Sequence, residues 1–139
     1  MTEAALGALG LAGFAALWSL GNVAMAYLSG WARLARAYRA GRRPTGKRLR
    51  GRSGTVGLIG HGGILNFWVA PEGLYLKVNI LFRPGNPPLL IPWPDVRVVR
   101  RRDLLLVRRY EVEFGATGVR GIFSKRLVEE WQPHITLPA

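Results

Sequence analysis

From Ala4 to Leu28 the chain carries not one charged side chain, whereas the next stretch, Ser29 to Arg52, is rich in Arg and Lys and has no acid. A helix rises about 1.5 Å per residue, so the first stretch is long enough to cross roughly 30 Å of hydrocarbon. Basic residues stay on the cytoplasmic side of an inserted helix. The pattern predicts a single-pass anchor over residues 1–30 in the cytoplasmic (inner) membrane, with everything after it facing the cytoplasm.

A cleaved signal peptide is the rival reading, since Ala24-Met25-Ala26 has the small-x-small form of a cleavage site. Signal peptides open with positive charge and have a shorter apolar core, while this chain opens Met-Thr-Glu, so the anchor is preferred. Tyr27 and Trp31 fall where the helix should meet the headgroup layer that amphipathic rings favour, and Trp18 lies deeper. Ala8, Ala12 and Ala16 repeat at four-residue spacing beside Gly10 and Gly13, which leaves self-association through close helix approach open.

Beyond the anchor about 110 residues remain, enough for one small domain. The net charge of +12 invites anionic partners, but nearly all of it is Arg, with only Lys47, Lys77 and Lys125 as lysines. Genome base composition alone produces such a bias, so the charge is informative only where it clusters. The absence of cysteine excludes disulfides, thiolate nucleophiles and Cys-ligated metal.

Trp31, Leu34, Ala35 and Tyr38 share one face of a helix, with Arg33, Arg36 and Arg39 around the other, so residues 31–46 read as a basic amphipathic juxtamembrane helix and linker. Arg33, Arg36, Arg39, Arg42, Arg43, Lys47 and Arg48 are the candidate contacts to anionic headgroups of the inner leaflet. Each contributes about 1 kcal/mol of attraction near such a surface. A positive-inside signal that fixes topology and does nothing more explains them equally well.

Residues 47–139 read as a compact β domain of short alternating runs broken by Gly and Pro. The strands expected are Thr55 to Ile59, Ile64 to Ala70, Leu74 to Ile80, Leu89 to Ile91, Val96 to Arg101, Leu104 to Phe114 and Val119 to Phe123. Ser124 is placed to cap a last helix whose Leu127, Val128 and Trp131 form an apolar edge. The fold class is therefore mainly β with helices: one transmembrane helix, then a small barrel or sandwich of about seven strands plugged by a C-terminal helix. Arg97, Arg100, Arg101, Arg102, Arg108 and Arg109 bracket Asp103 on one hairpin, as a second basic patch for lipid or an acidic partner, or as charge that keeps a strand edge soluble.

Catalysis finds little footing. His61 and His134 are the only histidines and lie far apart in the chain, so no metal site is expected. Glu111 and Glu113 share a strand face, but their polar setting reads as solvated charge. The glycines at 57, 60, 62 and 63 fit neither phosphate-loop spacing. The expectation is a non-enzyme without cofactor.

Glu72-Gly73-Leu74-Tyr75-Leu76, then the run from Leu81 to Trp93 with its Pro-Pro-Leu-Leu-Ile-Pro-Trp end, then Asp95-Val96, resembles a pattern in small bacterial membrane-anchored proteins of unknown function. Those proteins carry a domain similar to the pleckstrin-homology and GRAM superfold. The resemblance implies that fold over about Lys47 to Trp131, and a cytoplasm-facing interaction module for an unidentified protein partner, for its own copies or for weak anionic-lipid contact. It departs at the first hairpin, expected at Gly60-His61-Gly62-Gly63, which lacks the cations of a phosphoinositide pocket. The alternative is a tethered nucleic-acid-binding protein using the basic clusters with Trp68 and Tyr75 as exposed stacking rings.

Overall fold

A computed structural model describes residues 2–138. The uncharged run forms α1, Glu3–Ser29, a helix of 27 residues that is long and apolar enough to cross a membrane. Thr2 caps it, its hydroxyl accepting the Ala5 N–H at 3.2 Å. Gly30, in the left-handed region at φ 88°, ends it and turns the chain into α2, Trp31–Tyr38.

The amphipathic pattern of α2 is as expected, but its apolar face turns into the protein. Trp31 and Leu34 are fully buried in the main core, and the Trp31 indole donates to the Pro87 carbonyl at 2.9 Å. Placing Trp31 among headgroups is thereby corrected. A large ring gains most where its apolar body is packed and its one polar atom has a fixed acceptor.

The β domain is one curled antiparallel sheet of seven strands: β1 Lys47–Val56, β2 Ile59–Ala70, β3 Gly73–Val78, β4 Leu89–Ile91, β5 Val96–Arg101, β6 Arg109–Phe114 and β7 Arg120–Ser124. Their order is β4-β3-β2-β1-β7-β6-β5, two meanders joined where β1 pairs with β7. Alternation puts Leu65 and Phe67 of β2, Leu74 and Leu76 of β3, and Val112 and Phe114 of β6 inside. Ser124 caps α3, Lys125–Glu129, accepting the Leu127 N–H at 3.2 Å. The chain after it seats Trp131 against Phe67 and Phe123, with ring centroids 5.8 and 5.5 Å away, so this tryptophan is core as expected.

Three strand expectations change. β1 begins at Lys47 rather than Thr55, so the alternating Arg48, Arg50 and Arg52 belong to a strand. The β1–β2 turn is Gly57-Leu58, and Gly60 to Gly63 lie within β2. Gly57, at φ 60°, packs against the Ser29 carbonyl and has no room for a Cβ. Leu104 to Arg108 are not strand: Leu104 and Val107 exchange backbone hydrogen bonds across a tight tip before β6 begins.

The domain grips the second half of α1. The Trp18 indole donates to the Leu81 carbonyl and packs on Phe82 at 5.4 Å, within a short 3-10 turn, Ile80–Phe82. Val23 lies against the Gly85 backbone, and Ser29 against Gly57. Only α1 up to about Leu17 stands clear, roughly 22 Å of helix at 1.5 Å per residue.

Candidate functional site: a cationic cleft beside the anchor

The seven cations of the first basic cluster scatter. Arg33 donates to the Thr117 carbonyl at 3.3 Å, and Lys47 lies 4.0 Å from Glu130. Arg36 and Arg39 border a groove with Tyr27, and Arg42 is exposed. Of the seven, Arg36 and Arg39 share that groove, and Arg43 and Arg48 enter a second site with three further cations.

That site is a cleft of about 380 Å³ on the outer face of β1, β2 and β3. Strand pairing builds it: Arg48 stands opposite Trp68, which stands opposite Tyr75, and Asn66 stands opposite Lys77. The bulge in β1 at Gly51, held by an N–H bond of 3.1 Å to the Asn66 side chain, brings Arg50 to the same rim. Arg83, just beyond the 3-10 turn, and Arg43, from the segment before β1, complete it.

The guanidinium carbons of Arg43 and Arg48 lie 5.3 and 5.0 Å from the Trp68 ring centroid. Trp68 and Tyr75 are therefore covered, at 5% and 4% exposure, and are not the free stacking rings that the nucleic-acid reading requires. Burial first, then the charges of Arg83, Arg43 and Arg48, hold the Lys77 ammonium below its ordinary pKa. None of the ion pairs formed among the described residues involves Arg43, Arg48, Arg50, Lys77 or Arg83. The cleft concentrates positive charge that no carboxylate among the described residues pairs with.

The second patch is built the opposite way. Glu111 is buried at 5% exposure and takes Arg100 at 2.8 Å, Arg102 at 3.5 Å and Arg120 at 3.4 Å. Glu113 takes Arg97 and Arg120, and Asp103 takes Arg101 at 2.9 Å. The expectation of solvated carboxylates is corrected here: the cross-strand register sets Arg97 opposite Glu113 and Arg100 opposite Glu111, so charge meets charge on the sheet face. Arg108 and Arg109 lie outside these ion pairs.

A groove of about 440 Å³ separates α1 from β2, lined by Leu17, Trp18, Met25, Ile64 and Phe82 among others. His61 lies along it, and burial lowers its pKa, so the ring is neutral at pH 7. His134 is elsewhere, stacked on Trp93 at 4.7 Å. Tyr38 donates to Asp95 at 2.9 Å and is pushed up to about 12 by burial and by that carboxylate, which fixes α2 to the turn before β5. Among the described residues no group of three His, Cys, Asp or Glu side chains stands ready to hold a metal.

The class defined by these features is a single membrane-length helix carrying a curled, seven-stranded antiparallel domain with a C-terminal helix. No family model matches the chain, and no curated protein or solved structure is significantly similar to it.

Proposed function

We propose that this protein is a single-pass, membrane-anchored interaction module without catalytic activity, its β domain of pleckstrin-homology-like type and facing the cytoplasm. We further propose that its cationic cleft holds the phosphate of an anionic membrane lipid. The observation that carries this reading is the set of five cations, Arg43, Arg48, Arg50, Lys77 and Arg83, gathered without a carboxylate partner in a cleft that borders Ile80. Ile80 and Leu81 are 69% and 65% exposed and sit on the turn that Trp18 of α1 holds. An inserted helix of this kind brings the cleft rim to headgroup depth, where five donors meet phosphate oxygens by charge-assisted hydrogen bonds.

The domain type is supported by the two meanders and the helix that follows β7. The cytoplasmic orientation is supported by the basic residues that follow α1. The non-catalytic reading draws support from Glu111 and Glu113, each committed to arginines, and from histidines packed on Trp31 and Trp93 rather than on a nucleophile.

Full-length protein purified in detergent should retain added phosphatidylglycerol over phosphatidylcholine in native mass spectrometry. Lys77→Gln with Arg83→Gln should weaken retention by about tenfold or more, the worth of one charge-assisted hydrogen bond. Removing two charges elsewhere, with Lys125→Gln and Arg126→Gln on α3, should leave it unchanged. Equal loss in both double variants would reduce the cleft to general electrostatics and reject the site.

A further inference from the structure

The tip between β5 and β6 is a second exposed apolar element of the molecule. Leu104, Leu105, Leu106 and Val107 are 55%, 95%, 99% and 54% exposed, four consecutive aliphatic side chains with nothing of the domain over them. Hairpin tips in water are ordinarily Asn, Asp or Gly. Leu105 has φ 54°, a conformation that hairpins usually give to glycine, yet the position keeps a large apolar side chain. Charge flanks the tip on both strands: Arg100, Arg101, Arg102 and Asp103 before it, with Asp103 paired to Arg101 at 2.9 Å, and Arg108 and Arg109 after it.

Strand register gives the tip its direction. The row Ile59, Val56, Gly121, Val112 crosses the sheet beside Gly57, which abuts Ser29 at the end of α1. The next row, His61, Gly54, Phe123, Tyr110, lies one step further along β2. β2 then reaches Ile64, whose carbonyl accepts the Asn79 N–H beside the turn held by Trp18. Moving from Gly57 to Ile64 is therefore moving from Ser29 toward Trp18 along α1, and passing from Val112 through Tyr110 to Val107 moves the same way. Twist of about 20–25° per pair over the three pairings from β2 to β6 turns that direction by roughly 60–75°, which leaves a component along it. The tip projects toward the side from which the free part of α1 rises.

The lengths agree. About 20 helical residues are needed to cross roughly 30 Å of hydrocarbon, whereas only α1 up to about Leu17 is clear of the domain. The apolar layer must reach below Trp18, to the level of Ile80 and Leu81. Below the tip, Leu104 and Val107 satisfy each other's backbone groups at 2.9 Å in both directions, and the Arg102 N–H bonds the Arg109 carbonyl at 2.8 Å, which leaves the Leu105 and Leu106 backbone groups to the water and headgroups of the interfacial layer.

We propose that Leu104 to Val107 insert into the same leaflet as α1, making the β5–β6 hairpin a second membrane foothold whose flanking Arg108 and Arg109 stay at the lipid phosphates. The occupant of this surface is the bilayer. The inference rests on the reading of α1 as a membrane anchor, and the test separates the two.

The chain has no cysteine, so single sites can be spin-labelled cleanly. Leu106→Cys, Leu11→Cys and Glu72→Cys variants of the full chain, reconstituted in phosphatidylcholine–phosphatidylglycerol bilayers, would be compared by oxygen and nickel-chelate accessibility. The label at 106 should favour oxygen, like that at 11 and unlike that at 72 on the β2–β3 turn. Nickel accessibility at 106 equal to that at 72, with 11 still in lipid, overturns the foothold and leaves the anchor standing. Nickel accessibility at 11 overturns the anchor, and the foothold falls with it. Shielding of 106 from both reagents that grows with protein density in the bilayer would mean that a second copy covers the tip, and also overturns the proposal.

Discussion

The two arginine-rich faces of this domain use one residue type to opposite ends. On β5, β6 and β7, five arginines surround Glu111, Glu113 and Asp103, and the charge is answered within the chain. On β1, β2 and β3, four arginines and Lys77 converge with no acid among the residues lining the cleft. Self-repulsion in the cleft shows in Lys77, whose ammonium is held below its ordinary pKa by burial and by three neighbouring guanidinium groups. A sheet that matches its charges on one face and leaves them open on the other is the contrast on which the proposed anion site rests.

The strongest way to break this comparison is to remove the answer on the matched face. Glu111→Gln leaves Arg100, Arg102 and Arg120 confronting one another around a buried amide. The cost should be about 2 kcal/mol, below the 3–5 typical of a broken buried pair because these arginines are about half exposed. Denaturant unfolding of the full chain in detergent would read it, and an unchanged midpoint would show that the matched face contributes nothing to stability.

The corresponding change on the open face should have the opposite sign and a smaller size. Lys77→Met removes a charge that the folded state resists, so without ligand it should stabilise by a few tenths of a kcal/mol at neutral pH. The sign with pH follows from the lowered pKa. The penalty is complete while Lys77 is protonated in both states, and it is relieved as pH rises through the folded-state value toward the ordinary 10.5. The advantage of the variant should therefore shrink as pH rises into the alkaline range, and an advantage independent of pH would assign it to packing.

Much of this contrast was hidden in the sequence by the misplacement of one strand. Alternation from Leu74 to Val78 showed a half-buried strand and put Lys77 on its polar side, and Ser124, Trp131 and the count of about seven strands were legible from caps, turns and spacing, whereas the split into two meanders was not. From Lys47 to Ser53, however, Leu49 is the only large apolar residue, so local pattern reads as a basic linker. Pairing with β2 makes it a strand, and only that register brings Arg48 to Trp68 and Asn66 to Lys77. The same long-range information was missing for Glu111, whose partners are set by the β5–β6 and β6–β7 registers. Trp31 misled for a different reason, since an aromatic at the end of an apolar helix suits a headgroup layer and a domain core equally well by composition. The carbonyl of Pro87, 56 residues away, decides for the core.

The titration of Lys77 itself tests the account most directly. With the lysine side-chain nitrogens labelled, the Lys77 Nζ resonance can be followed with pH in full-length protein held in lipid nanodiscs of phosphatidylcholine alone and of phosphatidylcholine with phosphatidylglycerol. The account predicts a depressed pKa in the neutral discs that rises toward 10.5 in the anionic discs, as a phosphate enters the cleft and offsets the charges of Arg43, Arg48 and Arg83. A Lys77 pKa that is the same in both discs would contradict it.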